Sequence, residues 1–282
     1  MTLTLLSPAK LNLFLHINGR LKNGYHELQS LFHFLDYGDE MVFSDAQEFS
    51  FSCSNPILET DDNLVIKAHN VLAARFPKSV RPVNITLNKK LPMGGGVGGG
   101  SSNAATTLLA LNQLWQLNLT IKQLADIGLA LGADVPVFVN GVSAIAEGVG
   151  EKLTSYPIKE KWYLVLTPDQ HVNTAELFSH DDLPRNTPKI PFEQIKYHGL
   201  SAQFKNDFEK LVVNRYPTVA KSINWLLEYG PARLTGTGAC VFAEFDSESQ
   251  AYEIFHRLPV ELAGFVAKGC NRSPTHQTLF GQ

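Results

Sequence analysis

The chain has 282 residues, of which 44% are hydrophobic and 18% charged, a composition typical of globular proteins and not of disordered ones. This length fits one large domain or two modest ones, and the formal net charge of −3 argues against a general nucleic-acid binder. Three scattered cysteines without a CxxC pair indicate neither a disulfide framework nor a zinc site, and they fit a reducing compartment.

The N-terminal segment MTLTLLSPAKLNLFLHI is apolar but does not read as a targeting signal. It has no basic leading segment, Lys10 interrupts it, and no small-residue cleavage site follows. No stretch of the sequence is apolar for long enough to suggest a membrane span. We therefore predict a cytoplasmic protein that binds neither membranes nor nucleic acids.

Alternating apolar residues predict a first strand with one buried face, formed by Leu11, Leu13, Leu15 and Ile17. The turn-rich segment GRLKNGYHEL follows, and SLFHFLDYGDEMVFS is typical of further strand. Apolar residues at helical spacing then predict a helix over 62–76, and alternation predicts a strand over 83–87.

That strand leads into a dense glycine run, LPMGGGVGGGSSNAA, with six glycines among positions 94–100. Ser101 or Ser102 is predicted to be the N-cap of the helix that follows. A strand, glycines and a helix start together place several backbone N–H groups at the positive end of a helix dipole, which favours a phosphate-binding loop over a flexible connection. The run lacks the lysine of a P-loop, and the first acidic residue after it is Asp126, too distant for a Rossmann dinucleotide site.

An acid-free window surrounds the glycine run. Between Asn63 and Ala125 there is no Asp or Glu, whereas seven basic residues occur there: Lys67, Arg75, Lys78, Arg81, Lys89, Lys90 and Lys122. Taken one at a time, each of these basic residues could simply be a solvated surface side chain. The window as a whole indicates a field that attracts a small polyanion.

The remaining elements predict a mixed α+β protein. Thr120 and Gln123 match a capping box that opens a helix ending at Gly132, and a strand is predicted over 142–147. A cluster of proline and charge near 156–161 marks a boundary, which divides the chain into domains 1–157 and 158–282. Beyond it we predict strands over 162–166 and 264–269, helices over 219–228 and 248–258, and a proline-rich surface connection over 183–192.

Four further features each have a structural explanation and a functional one. Lys10 could be an exposed lysine on an edge strand, and Asp134 could be the N-cap of a short helix. The segment GYHEL, with Tyr25 and His26, could be an exposed turn whose side chains have no function. The second glycine loop, in LTGTGACVF, could be a β-bulge or tight turn.

Together these segments resemble the GHMP kinase superfamily, which has three motifs in this order: PAKLNL, PMGGGVGGGSSNAA and LTGTGACVF. SPAKLNLFLHI, NGYHELQSLF, LGADVPVF and AEGVGE resemble the branch that phosphorylates cytidine-diphosphate-linked methylerythritol in the non-mevalonate isoprenoid pathway. Val97 stands where leucine is common, a change that a backbone cradle tolerates. The resemblance covers nearly the whole chain.

The resemblance implies a two-domain α+β fold. Its N-terminal domain would be ribosomal-protein-S5-like, its C-terminal domain a ferredoxin-like α/β sandwich, and the active site would lie in the cleft between them. It also implies ATP-dependent phosphorylation of the substrate's 2-hydroxyl, with Asp134 as general base and Lys10 as the polarising, charge-stabilising group. Mg²⁺ is expected to come with the nucleotide, held by phosphate and not by a carboxylate cage.

By the same resemblance, ATP is expected to contact Asn63, Lys89, Pro92, Met93, Gly94, Gly95, Gly96, Val97, Gly98, Gly99, Gly100, Ser101, Ser102 and Asn103. The small-molecule substrate is expected to contact Lys10, Asn12, Tyr25, His26, Phe32, Asp134, Thr174, Phe178, Gly236, Thr237 and Gly238. Tyr25 and His26 would stack on and hydrogen-bond the cytosine. A monomer or weak homodimer is a family-level expectation.

Two other functions remain open on the sequence. Another GHMP kinase, acting on mevalonate or homoserine, would share the fold and the glycine run, and only the GYHEL and PAKLN segments oppose it. A non-catalytic nucleotide-binding protein would have lost its reactive groups, whereas Lys10 and Asp134 are both present.

Overall fold

The computed structural model describes residues 2–22 and 24–281, with ten strands and nine α-helices in the described part of the chain. In chain order they are β1 (Thr2–Arg20), β2 (His26–Asp45), β3 (Ser50–Cys53), α1 (Leu64–Arg75), β4 (Val83–Asn88), α2 (Gly99–Leu114), α3 (Ile121–Leu129), α4 (Val135–Asn140), β5 (Ala144–Gly148), β6 (Lys152–Ser155), β7 (Trp162–Leu166), α5 (Thr174–Ser179), α6 (Glu209–Arg215), α7 (Pro217–Leu227), β8 (Ala232–Leu234), β9 (Val241–Phe245), α8 (Glu248–Phe255), β10 (Gly264–Cys270) and α9 (Pro274–Phe280).

All ten strands belong to one connected sheet, with β2 at its branching point. β2 pairs antiparallel with β1, β4 and β5, while β3 adds to β4 in parallel and β6 adds to β5. β10 joins the C-terminal strands to β2 through Gly269 opposite Leu35 and Cys270 opposite Phe34. β7, β9 and β8 follow β10 in that order. The predicted division at 157/158 falls between β6 and β7 and stays a prediction.

β1 differs from the predicted strand because both of its faces are buried. Lys10, Asn12, Phe14 and His16, on the face opposite the leucines, are each 2% exposed or less. The reason is that two loops cover this face: the Lys10 amide donates to the carbonyl of Val97, and the Asn12 amide donates to the Thr235 hydroxyl. The interpretation of Lys10 as an exposed edge lysine is therefore wrong.

Three buried clusters fill the space around the sheet. Helices α1 to α4 pack on the N-terminal strands, with Leu72, Leu108 and Val139 fully buried there. A second cluster lies beneath α6, α7 and α8, and a third packs β1 and β2 against β7, β9 and β10. The predicted α+β class is confirmed, and so is the capping box at Thr120 and Gln123. Over residues 2–22 and 24–281, no helix has both the length and the apolarity needed to cross a bilayer.

Candidate active site

A cavity of about 1090 Å³ lies where the two glycine loops meet the start of α4 and the turn between β1 and β2. All the predicted site residues line it except Val97, Ser102 and Gly238. Single-ligand pockets typically measure about 300–1,000 Å³. This cavity therefore has room for a nucleotide and a second small molecule together.

The first glycine loop enters α2 through a left-handed glycine. Gly98, with φ of 77°, is the N-cap, and the helix begins at Gly99, so the prediction of Ser101 or Ser102 as N-cap is wrong. The Ser102 amide already donates to the Gly98 carbonyl, and its hydroxyl is buried against Ser7. A glycine supplies the positive φ here at no steric cost, and the chain therefore turns into the helix three residues earlier than a serine cap would require.

Two glycines in this loop are required by a close contact and a positive φ together. A Cβ on Gly96 would lie 2.2 Å from the Thr235 carbonyl oxygen, and one on Gly98 would lie 2.7 Å from the Phe138 ring. Both residues have a φ of 77°, which L side chains rarely adopt. These glycines therefore let the loop pack against its neighbours, while Gly94 and Gly100, where a Cβ would meet nothing nearer than 3.6 Å, leave the cavity wall bare.

Positive charge and free amides meet at this wall. The amides of Gly99, Gly100 and Ser101 belong to the first helical turn, where N–H groups lack intrahelical acceptors. Among the described residues, the lining of the cavity contains three basic side chains, Lys10, Arg20 and Lys89, and a single carboxylate, Asp134. This arrangement suits a polyphosphate.

The acid-free window contributes less positive charge to the cavity than its seven basic residues would suggest. Lys67 pairs with Asp62, Lys122 with Asp126 and Lys89 with Asp39, and all three carboxylates lie outside the window. Of the seven basic residues in the window, Lys89 is the one found in the described lining. Much of the positive field at the cavity therefore comes from Lys10 and Arg20, which the window does not include.

Lys10 lies at the centre of the site. Its Nζ donates to the Gly96 carbonyl at 2.9 Å and to Asn12 Oδ1 at 2.5 Å, and it lies 3.5 Å from Asp134 Oδ2. The lysine side chain is 3% exposed and that of Asp134 is 40% exposed. Burial lowers the pKa of the Lys10 ammonium, while the Asp134 carboxylate acts in the opposite direction. The Phe32 ring lies beneath the ammonium, 5.2 Å from Nζ to the centroid.

Asp134 occupies the N-cap position of α4 without capping it. Its side chain accepts no hydrogen bond from the first turn, and Pro136 occupies an early helical position that has no amide hydrogen to offer. The structural explanation considered for Asp134, that its carboxylate serves as an N-cap, is therefore wrong. The carboxylate faces the cavity instead.

The second glycine loop packs directly on the first. The Cys240 amide donates to the Gly95 carbonyl at 3.0 Å, and the Thr235 hydroxyl bridges the Asn12 amide and the Gly96 carbonyl. Gly236 and Thr237 line the cavity, whereas Gly238 turns away and donates its amide to the Thr235 carbonyl. This loop is a tight turn, and it also forms part of the wall.

A buried carboxylate that the sequence analysis missed secures the start of the first glycine loop. Asp39, fully buried in β2, accepts the amides of Lys90 and Leu91 at 2.7 and 2.9 Å. Its other oxygen accepts from Lys89 Nζ and from Asn103 Nδ2. Because Asp39 lies about 50 positions before the loop, no local pattern in the sequence could indicate this contact.

The far side of the cavity is aromatic. His26 and Phe178 lie with ring centroids 5.0 Å apart, and Tyr25, 65% exposed, stands on the adjacent turn. The hydroxyls of Thr174 and Thr237 are hydrogen-bonded at 2.8 Å, which links α5 to the second glycine loop. Arg185, also missed, donates from Nε to His26 Nε2 at 3.1 Å. Planar rings with a few polar groups provide a surface for a flat heterocycle.

The described residues provide no cluster of three or more His, Cys, Asp or Glu side chains that could hold a metal ion. With Asp134 as the single carboxylate in the described lining, the donor set fits an ion held mainly by ligand phosphates. Mg²⁺ commonly binds in this way.

Two family models match the chain. One is the N-terminal domain of GHMP kinases, over residues 63–142, and the other is the C-terminal domain of GHMP kinases, over residues 194–262. The mevalonate kinase of Methanococcus jannaschii has the same fold, with a TM-score of 0.66 at 17% identity over 96% of this chain and 98% of that one. The predicted two-domain GHMP kinase fold is therefore confirmed.

Closer relatives share one name. The 4-diphosphocytidyl-2-C-methyl-D-erythritol kinase of Haemophilus influenzae (strain 86-028NP) is 55% identical over 97% of this chain and 87% of its own length. The kinase of that name from Shewanella woodyi is 54% identical over 97% of this chain and 95% of its own length. A solved 4-(cytidine 5'-diphospho)-2C-methyl-D-erythritol kinase superposes with a TM-score of 0.83 at 27% identity, covering 95% of this chain and 99% of that one. The chain belongs to the family of 4-diphosphocytidyl-2-C-methyl-D-erythritol kinases within the GHMP kinases.

Proposed function

We propose that this protein transfers the γ-phosphoryl group of ATP to the 2-hydroxyl of 4-diphosphocytidyl-2-C-methyl-D-erythritol. One observation carries the mechanism: the Lys10 ammonium bonds the Gly96 carbonyl of the glycine loop and lies 3.5 Å from Asp134. Lys10 thus connects the first glycine loop, which suits a polyphosphate, with Asp134, the one carboxylate of the described lining. The names of the relatives supply the substrate, and the aromatic side of the cavity fits its base.

In the proposed reaction the acceptor hydroxyl oxygen attacks the γ-phosphorus while the bond from that phosphorus to the β–γ bridging oxygen breaks. ADP leaves, and the hydroxyl proton passes to Asp134. Lys10 polarises the hydroxyl beside Asp134 and offsets negative charge that develops on the transferred group. Its Asn12 and Gly96 bonds hold the ammonium in place during these changes.

The triphosphate would lie along the first glycine loop, within reach of the free amides that open α2. Asn63 and Lys89 would lie towards the adenine, where Leu58, Leu64 and Leu87 make the lining apolar. Mg²⁺, carried by the phosphates, would neutralise charge on the β- and γ-phosphoryl oxygens. Val97 and Ser102, with fully buried side chains, would support the loop from behind.

The cytidylyl end would lie between Tyr25 and Phe178, with His26 hydrogen-bonding the edge of the base. Asn12 and Thr174 would complete the pocket around the rest of the substrate. The predicted cytoplasmic location and monomeric or weakly dimeric state belong to the same proposal.

Replacing Asp134 by Asn tests the proposed general base. We expect kcat to fall about 10²–10⁴-fold, because an amide cannot accept the proton, while ATP affinity stays roughly unchanged. The measurements are ADP release with the cytidylyl substrate and calorimetric ATP binding. Asp126→Asn, an exposed carboxylate paired with Lys122, is the matched control and should behave as wild type. A wild-type kcat in the Asp134 variant would show that the assigned base is wrong.

A further inference from the structure

We propose that Arg185 is a positioning residue that makes the site prefer cytosine over uracil, by holding the proton of His26 on Nδ1. The inference rests on the proposed function, which places the cytidylyl base at His26. It assigns a role to a residue that belongs to neither glycine loop and lies 159 positions after the histidine it contacts.

The tautomer of His26 follows from the chemistry of its neighbour. Arg185 Nε lies 3.1 Å from His26 Nε2, and a guanidinium has only donors. Nε2 must therefore accept, which leaves the proton of the neutral ring on Nδ1. No hydrogen bond joins Nδ1 to another described residue, and His26 lines the cavity. The histidine thus presents an N–H donor to a ligand.

Arg185 is itself held in position by three carbonyl oxygens. One terminal nitrogen donates to Leu183, and the other donates to Phe178 and His180 at 2.9 and 2.8 Å. These bonds leave the guanidinium little freedom to rotate away from His26. They also connect it to the backbone of Phe178, whose ring packs against the imidazole.

The surroundings of His26 favour the neutral ring. Burial lowers the pKa of this imidazole, and the positive charges of Arg185 and Arg20 lower it further. A second ring proton, on Nε2, would point directly at a guanidinium N–H. His26 is therefore held in one tautomer as well as in one charge state.

A fixed donor at Nδ1 distinguishes the two pyrimidines. Cytosine has a lone pair at N3 and can accept from Nδ1–H, whereas uracil has an N3–H that would face another donor. Uracil could bind well only if the ring proton of His26 moved from Nδ1 to Nε2. That tautomer would lose the hydrogen bond from Arg185 and would place the Nε2–H donor against the Nε–H donor of the guanidinium. Unpaired buried polar groups give strong discrimination of this kind.

The experiment compares the affinities for CMP and UMP, by calorimetry, in wild type, Arg185→Met and Arg185→Lys. We expect wild type to prefer CMP, and we expect Arg185→Met to reduce the CMP-to-UMP ratio about three- to tenfold, the range of one hydrogen bond. Arg185→Lys keeps a group that can only donate and should retain more of the preference. Arg257→Met, at an exposed arginine paired with Glu253, is the matched control.

Four results would each decide a separate point. If wild type binds CMP and UMP equally, the inference is wrong, whereas if it binds neither, the proposed cytidylyl substrate is wrong and the inference falls with it. If wild type prefers CMP but Arg185→Met keeps the full ratio, or weakens CMP and UMP equally, Arg185 has a structural role only. Nitrogen-15 NMR of wild type, with His26 assigned by a His26→Gln variant, is independent of how the arginine variants fold. A proton found on Nε2 would overturn the inference.

Discussion

Lys10 is a buried cation whose polar partners all belong to the candidate site. We expect Lys10→Met to lower kcat about 10²–10³-fold, because the transferred group loses its nearest protein charge. Stability should fall by about 1–3 kcal/mol, since Asn12 Oδ1 and the Gly96 carbonyl lose a buried donor. Steady-state kinetics and urea unfolding measure the two effects. Lys122→Met, at an 85% exposed side chain, should change neither. A kcat within twofold of wild type would remove Lys10 from the mechanism.

At this scale the sequence predicts residues that lie in recognisable motifs and misses those that act on them from a distance. Lys10, Asn12 and Asp134 are predicted and do line one cavity. Asp39 and Arg185 are missed because their partners lie about 50 and 159 positions away, and neither stands in a pattern of its own. Only the fold brings such pairs together.

The first glycine loop and α2 form one element that Asp39 joins to β2. We expect Asp39→Asn to raise the KM for ATP about tenfold and to lower stability by about 3 kcal/mol. The reason is that an amide nitrogen would face the Lys89 ammonium or the Asn103 amide, leaving a buried charge without its partner. ATP binding and urea unfolding provide the measurements. Asp62→Asn removes the exposed partner of Lys67 and should have no effect on either. Lower stability with unchanged ATP affinity would make Asp39 purely structural.

Element types were easier to predict than element ends. Alternation and helical spacing correctly predicted β4, α1 and α7, because a single buried face produces each pattern. The start of α2 was predicted at a serine because serine is a good cap, but Gly98 turns the chain earlier and Ser102 bonds Ser7. β1 proved buried on both faces since loops from distant parts of the chain cover it.

At the scale of the whole molecule, two of the places where C-terminal elements meet N-terminal ones contain a buried histidine. His33 in β2 lies beside Gly269 of β10 and is bonded through Nδ1 to Ser143, while its Nε2 is buried without a partner in the described structure. His276 in α9 packs against Gly141, at the end of α4. Burial lowers the pKa of each imidazole from 6.5 to about 4. Both histidines are therefore neutral in the folded protein at pH 7.

This arrangement predicts loss of stability in mild acid. Between pH 6.5 and 4 the unfolded chain binds protons at both histidines and the folded chain does not, so the free energy of unfolding falls as the pH falls. At pH 5 we expect a loss of about 2 kcal/mol for each histidine relative to pH 7. Urea unfolding at the two pH values should show that the free energy of unfolding depends less steeply on pH in the double variant His33→Gln/His276→Gln than in wild type. Burial also lowers the pKa of His16, His26 and His69, so the variant should keep part of the slope. His198→Gln, at an exposed histidine, should leave the pH dependence of the free energy of unfolding as in wild type. An unaltered slope in the double variant would mean that these two junctions open, or admit water, before the rest of the molecule unfolds.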